Sequence, residues 1–274
     1  MRIGIIGAGA WGTALSSVAA ENGHNIQLWA RERDVVDAIN SNRTNNAFLP
    51  GSVLPESVVA THEIRELTGC DIILNATPTQ YVRSTVIDEV VNGAIVVNVA
   101  KGIEIGTHLR VSEILSQVAP SMRSFAVLSG PSHAEEVILR MPTTVVCASH
   151  DIDTARTVQS VFSTPSFRVY ASDDVIGVEI CGSLKNVIAI AAGIVDGLGL
   201  GDNTKAALIT RGLAEIARLG VALGAEQNTF FGLAGLGDLY VTCASRHSRN
   251  RRVGEEIGKG ATLADILSSM NAVA

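Results

Sequence analysis

The start of this chain limits its fold more than any other segment. Arg2–Ile6 is a short run of mostly branched apolar residues. Gly7-Ala8-Gly9-Ala10-Trp11-Gly12 follows at once, and Trp11–Glu21 then reads as a helix. The three glycines do different work where a strand turns sharply into a helix. Gly7 permits the tight turn, Gly9 lets the backbone approach a pyrophosphate, and Gly12 lets the helix pack closely on the strand. The helix start adds unpaired N–H groups and a partial positive charge. Strand, turn and helix in this order predict a dinucleotide-binding site at Gly7, Gly9 and Gly12.

Further along, Ile26–Trp29, Ile72–Ala76, Ile95–Val99, Phe125–Leu128 and Thr143–Cys147 are short runs rich in Val and Ile, bounded by Gly, Asn, Pro or Ser. Such runs read as buried strands. Helix-like segments lie between several of them, at Asp34–Asn40, Tyr81–Val91 and Leu109–Val118. This alternation implies a doubly wound parallel sheet. After about residue 175 the strands stop. Val178–Val195, Lys205–Leu219 and Gly254–Met270 read as helices, and Asp202, Asn203 and Thr204 are cap candidates for the second. The expected class is α/β: an N-terminal Rossmann-like domain over residues 1–177, then an all-α domain over residues 178–274.

The chain has 274 residues, 47% of them hydrophobic and 18% charged, which provides a sizeable core and excludes a disordered protein. A net charge of −6 argues against a general nucleic-acid binder. Cys70, Cys147, Cys181 and Cys243 form no CxxC pair, and the histidines do not cluster near them. Neither a metal site nor a disulfide framework is expected, and the compartment reads as reduced and cytoplasmic. Ile3–Ala20 is free of charged residues, but Gly4, Gly7, Gly9 and Gly12 within it argue against a membrane helix. No membrane span is predicted.

The end of the second strand bears on which dinucleotide binds. Glu32 stands at the spacing of the acidic residue that binds the ribose hydroxyls of NAD. Arg31 and Arg33 flank it and suit the 2′-phosphate of NADP. With the strand ending near Trp29, Arg31 is the better-placed contact, so NADP(H) is favoured and NAD(H) is the alternative. A solvated helix start is the plain reading of both arginines.

Three segments follow strand ends: Thr77-Pro78, Lys101-Gly102 and Gly130-Pro131-Ser132. In an open parallel sheet, ligands bind beyond the carboxyl ends of the strands. Lys101 suits a phosphate or a polarised oxygen there, unless it is a solvated loop lysine. Lys185 has Cys181, Gly182, Ile188 and Ala189 as its helical neighbours. A lysine on such a face is either a proton-transfer group with its charge destabilised by burial, or merely buried. Spacing alone leaves both open. Asn186 beside it suits the orientation of substrate or solvent.

Gly235-Leu236-Gly237-Asp238 reads as a turn carrying a carboxylate, with Thr242 one helical turn on. Arg246, Arg249, Arg251 and Arg252 then crowd seven positions together with Ser248 and Asn250. Arginine forks suit a phosphate dianion. A solvated basic face is the alternative, and the absence of interleaved aromatics argues against a nucleic-acid patch.

These segments together resemble the bacterial-type NAD(P)-dependent glycerol-3-phosphate dehydrogenases. The resemblance is carried by GAGAWGTAL, VAKGIE, LSGPSHAEEV, GLAGLGDLYVTCAS, HSRNRRVGEEIG and the long string from Glu179 to Gly220 that begins EICGSLKNV. It implies reversible reduction of dihydroxyacetone phosphate to sn-glycerol 3-phosphate, in supply of glycerophospholipid synthesis. It implies that Lys185 is the general acid/base, with Asp238 and Asn186 setting its charge and position. Lys101 would contact substrate and cofactor, Gly130, Ser132, Lys185, Asp238 and Thr242 would line the substrate, and Arg249, which would also meet the cofactor, would hold its phosphate with Ser248 and Asn250. Ala10, Trp11 and Arg31 would contact the dinucleotide, and Ala134 its nicotinamide side. A homodimer is also implied. His133 stands where the family commonly has phenylalanine. Family members usually continue beyond the Met270–Val273 region, and a glutamate near the cofactor follows the position of Val273. The second domain is therefore expected to be shortened, with Val273 at the cofactor's edge. Two other readings are a 2-hydroxyacid or ketopantoate-type reductase, which needs no phosphate cluster, and a dinucleotide-binding sensor, which needs no lysine on an apolar face.

Overall fold

The computed structural model describes residues 1–268. The expected cofactor contact at Val273 lies outside the described residues. The chain divides into two compact units. The first is Met1–Leu128 with Ala134–Val175, and the second is Ser129–His133 with the residues from Ile176 onward. Ser129–His133, which the sequence reading put in the first domain, therefore belongs with the helical unit.

The first unit alternates strands and helices: β1 (Arg2–Ile6), α1 (Ala10–Glu21), β2 (Asn25–Trp29), α2 (Arg33–Asn42), β3 (Val58–Thr61), β4 (Ile72–Asn75), α3 (Val82–Thr85), α4 (Asp88–Val91), β5 (Ile95–Asn98), α5 (Val111–Val118), β6 (Ser124–Ser129), α6 (Ala134–Ile138), β7 (Thr143–Ala148), α7 (Ile152–Phe162) and β8 (Phe167–Ser172). The strands form one sheet in the order β3-β2-β1-β4-β5-β6-β7-β8. The neighbours from β3 through β6, and the pair β7–β8, run parallel. The winding reverses between β1 and β4, so the first strand sits at the switch point where such sheets bind ligands. Just past the end of β7, Ser149 Oγ donates to Phe125 O near the start of β6 at 2.6 Å. β7 thus runs against β6, and the sheet is parallel-dominated rather than wholly parallel.

Burial explains why the strands read as unbroken apolar runs. In β1, Ile3 and Ile5 join one core with Leu15, Leu28, Leu74, Val97 and Phe162. Ile6 joins the other core with Ile73, Val96, Val86, Ile114 and Leu115. Successive side chains point to opposite faces, and both faces are covered. Each fully buried Ile or Leu contributes about 1.5–3 kcal/mol relative to exposure.

The second unit holds α8 (Val175–Gly197) from its second residue on, α9 (Gly201–Ala222), α10 (Asp238–Ala244), α11 (Arg249–Gly258) and α12 (Leu263–Ser268), with a π-helical turn at Leu233–Gly237. α9 starts earlier than expected and has no side-chain cap: Thr204 Oγ1 instead donates to Leu200 O at 2.9 Å. The single helix expected from Gly254 is two, because Gly260 at φ +96° breaks it. Tyr81–Val91 is likewise divided, with Ile87 extended between α3 and α4.

α8 has the length and apolar composition to cross a membrane, with an 18-residue stretch of mean hydropathy 1.7; 56% of that stretch is buried inside the protein. The helix also carries Glu179 and a buried Lys185. These are the marks of a core helix.

Candidate active site

In the first unit, the three glycines divide as their spacing predicts. Gly7 has φ +112°, and a Cβ there would lie 3.0 Å from the backbone of Ala76. A Cβ on Gly12 would lie 2.0 Å from Gly7 O, so helix and turn touch through backbone. Gly9 faces open space within 4 Å, and it begins α1 with no side-chain cap. Room at Gly9 and an uncapped helix start fit a pyrophosphate. The turn is held from beneath by buried Asn45, whose Nδ2 donates to Ala8 O and to Thr13 Oγ1, both at 2.8 Å. Ala10 and Trp11 are partly buried in the first turn of α1, and the Trp11 ring lies 6.3 Å from that of Phe167. Ala134 is buried at the start of α6.

Arg31 donates from Nε and Nη2 to Glu32 Oε1, at 3.0 and 2.7 Å. The NAD-type carboxylate and the NADP-type cation thus occupy each other, in a largely exposed pair that holds weakly. Arg33 opens α2 and is exposed.

The carboxyl ends of β4 and β5 carry a buried amide chain. Thr77 Oγ1 donates to Asn75 Oδ1 at 2.7 Å, Asn75 Nδ2 to Asn98 Oδ1 at 2.9 Å, and Asn98 Nδ2 to Ala100 O at 3.0 Å. It fixes the backbone just before Lys101, which is half-buried. Beyond it, Arg83 donates to both oxygens of Glu104 at 2.8 Å. The Arg83 hydrogen bond, then that of Thr107, hold the Glu104 carboxyl down at about 2. The asparagines ending ILN and VVN were the available signal for this chain; sequence reasoning passed over them.

The second unit contains Lys185, Asp238 and Thr242, all buried. Lys185 Nζ donates to Asp238 Oδ1 and to Thr242 Oγ1, each at 2.6 Å. Thr242 Oγ1 in turn donates to Asp238 O at 2.6 Å. The π-helical turn delivers Asp238 to this position. Gly237 N donates to Gly232 O at 3.1 Å, and a Cβ on Gly235 would lie 2.1 Å from Phe230 O. Such single π turns commonly occur at functional sites. The Gly130–Ser132 segment packs beside it, with Pro131 3.6 Å from a Cβ placed on Gly237. Ser132 Oγ donates to Gly130 O at 2.9 Å. The His133 and His247 rings, 5.7 Å apart, join that segment to the basic one. Asn186 is partly buried beside Lys185 in the middle of α8.

Ser248 is the N-cap of α11, its Oγ accepting from Arg251 N at 3.2 Å. Arg249 is the first residue of that helix and is exposed, and Asn250 is partly buried. The four arginines of this segment differ in their partners. Arg251 is turned to Asp196 and Glu255, whereas Arg246, Arg249 and Arg252 make no ion pair among the described residues.

A doubly wound sheet that opens on such a glycine turn, continued by helices that bury a hydrogen-bonded lysine, is the architecture of a dinucleotide-dependent oxidoreductase. The chain belongs to the NAD-dependent glycerol-3-phosphate dehydrogenase family. That family's N-terminal region matches residues 2–155 and its C-terminal region residues 174–274. A glycerol-3-phosphate dehydrogenase [NAD(P)+] of Pelodictyon phaeoclathratiforme is 51% identical over 280 residues, covering 100% of this chain and 84% of the relative. One from Halalkalibacterium halodurans is 50% identical over 277 residues, covering 99% and 80%. The crystal structure of glycerol-3-phosphate dehydrogenase from Coxiella burnetii superposes with a TM-score of 0.92 at 38% identity, covering 99% of this chain and 84% of that one. A ketopantoate reductase from Ralstonia eutropha, at 15% identity and a TM-score of 0.57, shares the fold alone.

Proposed function

We propose that the chain catalyses reversible reduction of dihydroxyacetone phosphate to sn-glycerol 3-phosphate, and that the product feeds glycerophospholipid synthesis. The observation that carries this reading is Lys185, buried and held by Asp238 and Thr242. Bound NAD(P)H supplies the hydride. In reduction, Lys185 gives a proton to the C2 oxygen as that carbon is reduced. In oxidation it takes the hydroxyl proton back. Asp238 balances the ammonium charge in an environment that would otherwise disfavour it. Thr242 and Asn186 orient the lysine and the reacting oxygen.

Arg249 holds the substrate phosphate with Asn250 and Ser248, helped by the N-terminal end of α11. Lys101, Gly130 and Ser132 line the substrate, and Lys101 also meets the cofactor. Gly7, Gly9, Ala10, Trp11 and Gly12 hold the dinucleotide, with Ala134 on the nicotinamide side. Arg31, released from Glu32, takes the 2′-phosphate of NADP together with Arg33. The chain works as a cytoplasmic homodimer.

The test is oxidation of NADPH and of NADH with dihydroxyacetone phosphate, run side by side. Turnover with the phosphorylated ketone and little with free dihydroxyacetone supports the reading. Equal use of both ketones removes the phosphate site, and no turnover with either cofactor removes the activity.

A further inference from the structure

Arg251 is turned to carboxylates of its own unit, above all to Asp196. Its Nε donates to Asp196 Oδ2 at 2.7 Å, and its Nη2 lies 2.6 Å from the same oxygen. Lys205, on α9, donates to both oxygens of Asp196, at 2.9 and 2.8 Å. Burial pushes the Asp196 carboxyl up, but the hydrogen bonds and charges of Lys205 and Arg251 outweigh it and hold the group below its ordinary value. Arg251 Nη1 also meets Glu255 at 3.2 Å. One aspartate on α8 therefore ties α9 and α11 to that helix.

Backbone contact fixes the same two helices in register. A Cβ on Gly193 would lie 2.0 Å from Arg251 O, and one on Gly254 would lie 1.9 Å from Ile190 O. A Cβ on Gly258 would lie 2.6 Å from Ile194 O. No side chain fits between α8 and α11 here. Gly254 pairs with Ile190 and Gly258 with Ile194, so the contacts advance the same way along both helices. The beginning of α11, where Arg249 stands, therefore extends toward the part of α8 that bears Lys185. Lys185 and Asp196 are eleven positions apart on that helix. At about 3.6 residues per turn this is close to three turns, so both stand on one side of α8, about 16 Å apart along its axis.

We propose that Asp196 is a positioning residue for the substrate phosphate: by holding Arg251 it fixes the first turn of α11, and so the place of Arg249 relative to Lys185. This rests on the reading of Arg249 as the phosphate ligand given above. Arg249 has no ion pair of its own among the described residues, so its helix sets its position. A three-carbon phosphate keeps its carbonyl and its phosphorus at a nearly constant separation. A slide of α11 along α8 therefore draws Arg249 away from the phosphate of a substrate seated at Lys185.

The test is Asp196→Asn, which keeps shape and removes charge, with Arg251→Lys as a milder variant that keeps charge and loses the fork. KM for dihydroxyacetone phosphate should rise about 10-fold in Asp196→Asn, while kcat and kcat/KM for free dihydroxyacetone stay within about 2-fold. Arg251→Lys should show the same pattern more weakly. Inorganic phosphate, titrated calorimetrically, should bind more weakly to both variants than to the parent. Unchanged phosphate affinity in the folded variants overturns the proposal, and so does an equal loss on both ketones. If the parent reduces neither ketone but phosphate affinity still falls in the variants, the positioning role stands and the proposed reaction does not.

Discussion

Lys185 is buried, with two of its donors committed to Asp238 and Thr242. In the proposed reaction, Lys185→Ala should lower turnover by ~10²–10⁴-fold. NADPH affinity, read by fluorescence titration, should be little changed; full turnover in that variant would falsify the acid/base role. The glycine turn allows a sharper contrast. Gly12→Ala places a methyl against Gly7 O and should cost about 1–3 kcal/mol in urea unfolding. Gly9 has φ −65° and open space, so Gly9→Ala should fold as the parent does and lose dinucleotide affinity instead. Both places were legible from local spacing, three glycines in six positions and a lysine among small apolar helical neighbours, although for Lys185 spacing alone left proton transfer and mere burial open. Asn45 beneath the turn, and Asp196 opposite Arg251, had no such signal. Their partners lie 32 to 37 and 55 positions away in the chain, and only the fold brings them together.

At the scale of elements, the reading succeeded where burial on both faces wrote an unbroken apolar run, as in β1, β4 and β5. It failed at the sheet's two edges. β3 has four residues with Val59 exposed, and β8 alternates buried Phe167 and Val169 with exposed Arg168 and Tyr170. Edge strands need only one apolar face, and short alternating segments are weak signals. The segment after β5 is the element most open to a pH test. Glu104 is held at about 2 in the folded chain, against an ordinary value near 4.5. A depressed carboxyl contributes stability that is fully present above its unfolded value and fades as pH falls through its folded one. Parent and Glu104→Gln should therefore differ most in unfolding free energy above pH 5, and converge as the pH is lowered from 4.5 toward 2. A constant difference across that range would show that the Arg83 pair contributes nothing.

For the whole molecule, the sequence indicated a sheet-bearing part followed by a helical part that starts near residue 177, but gave no sign that Ser129–His133 belongs with the helical part. Ser129–His133 is too short to carry a pattern of its own, and its membership depends on contacts with residues about a hundred positions later. A bound dinucleotide should act on the molecule as a whole. A ligand that binds only the folded state adds about 2.7 kcal/mol at a concentration 100 times its Kd. NADPH should accordingly raise the thermal midpoint in a concentration-dependent way. A midpoint unmoved at saturating NADPH and at saturating NADH alike would remove the cofactor assignment.

The placement of Ser129–His133 also has a consequence for how the protein is made. Pro131 and Gly237, which pack together, are 106 positions apart in the chain. At a synthesis rate of about 5–20 residues per second, the loop leaves the ribosome roughly 5–20 s before its partner. During that interval β6 and α6 can form on either side of it, while the loop has nothing of its own unit to rest on. The helical unit is thus begun early and finished last, and a fragment beginning at Ile176 would be born without one of its pieces.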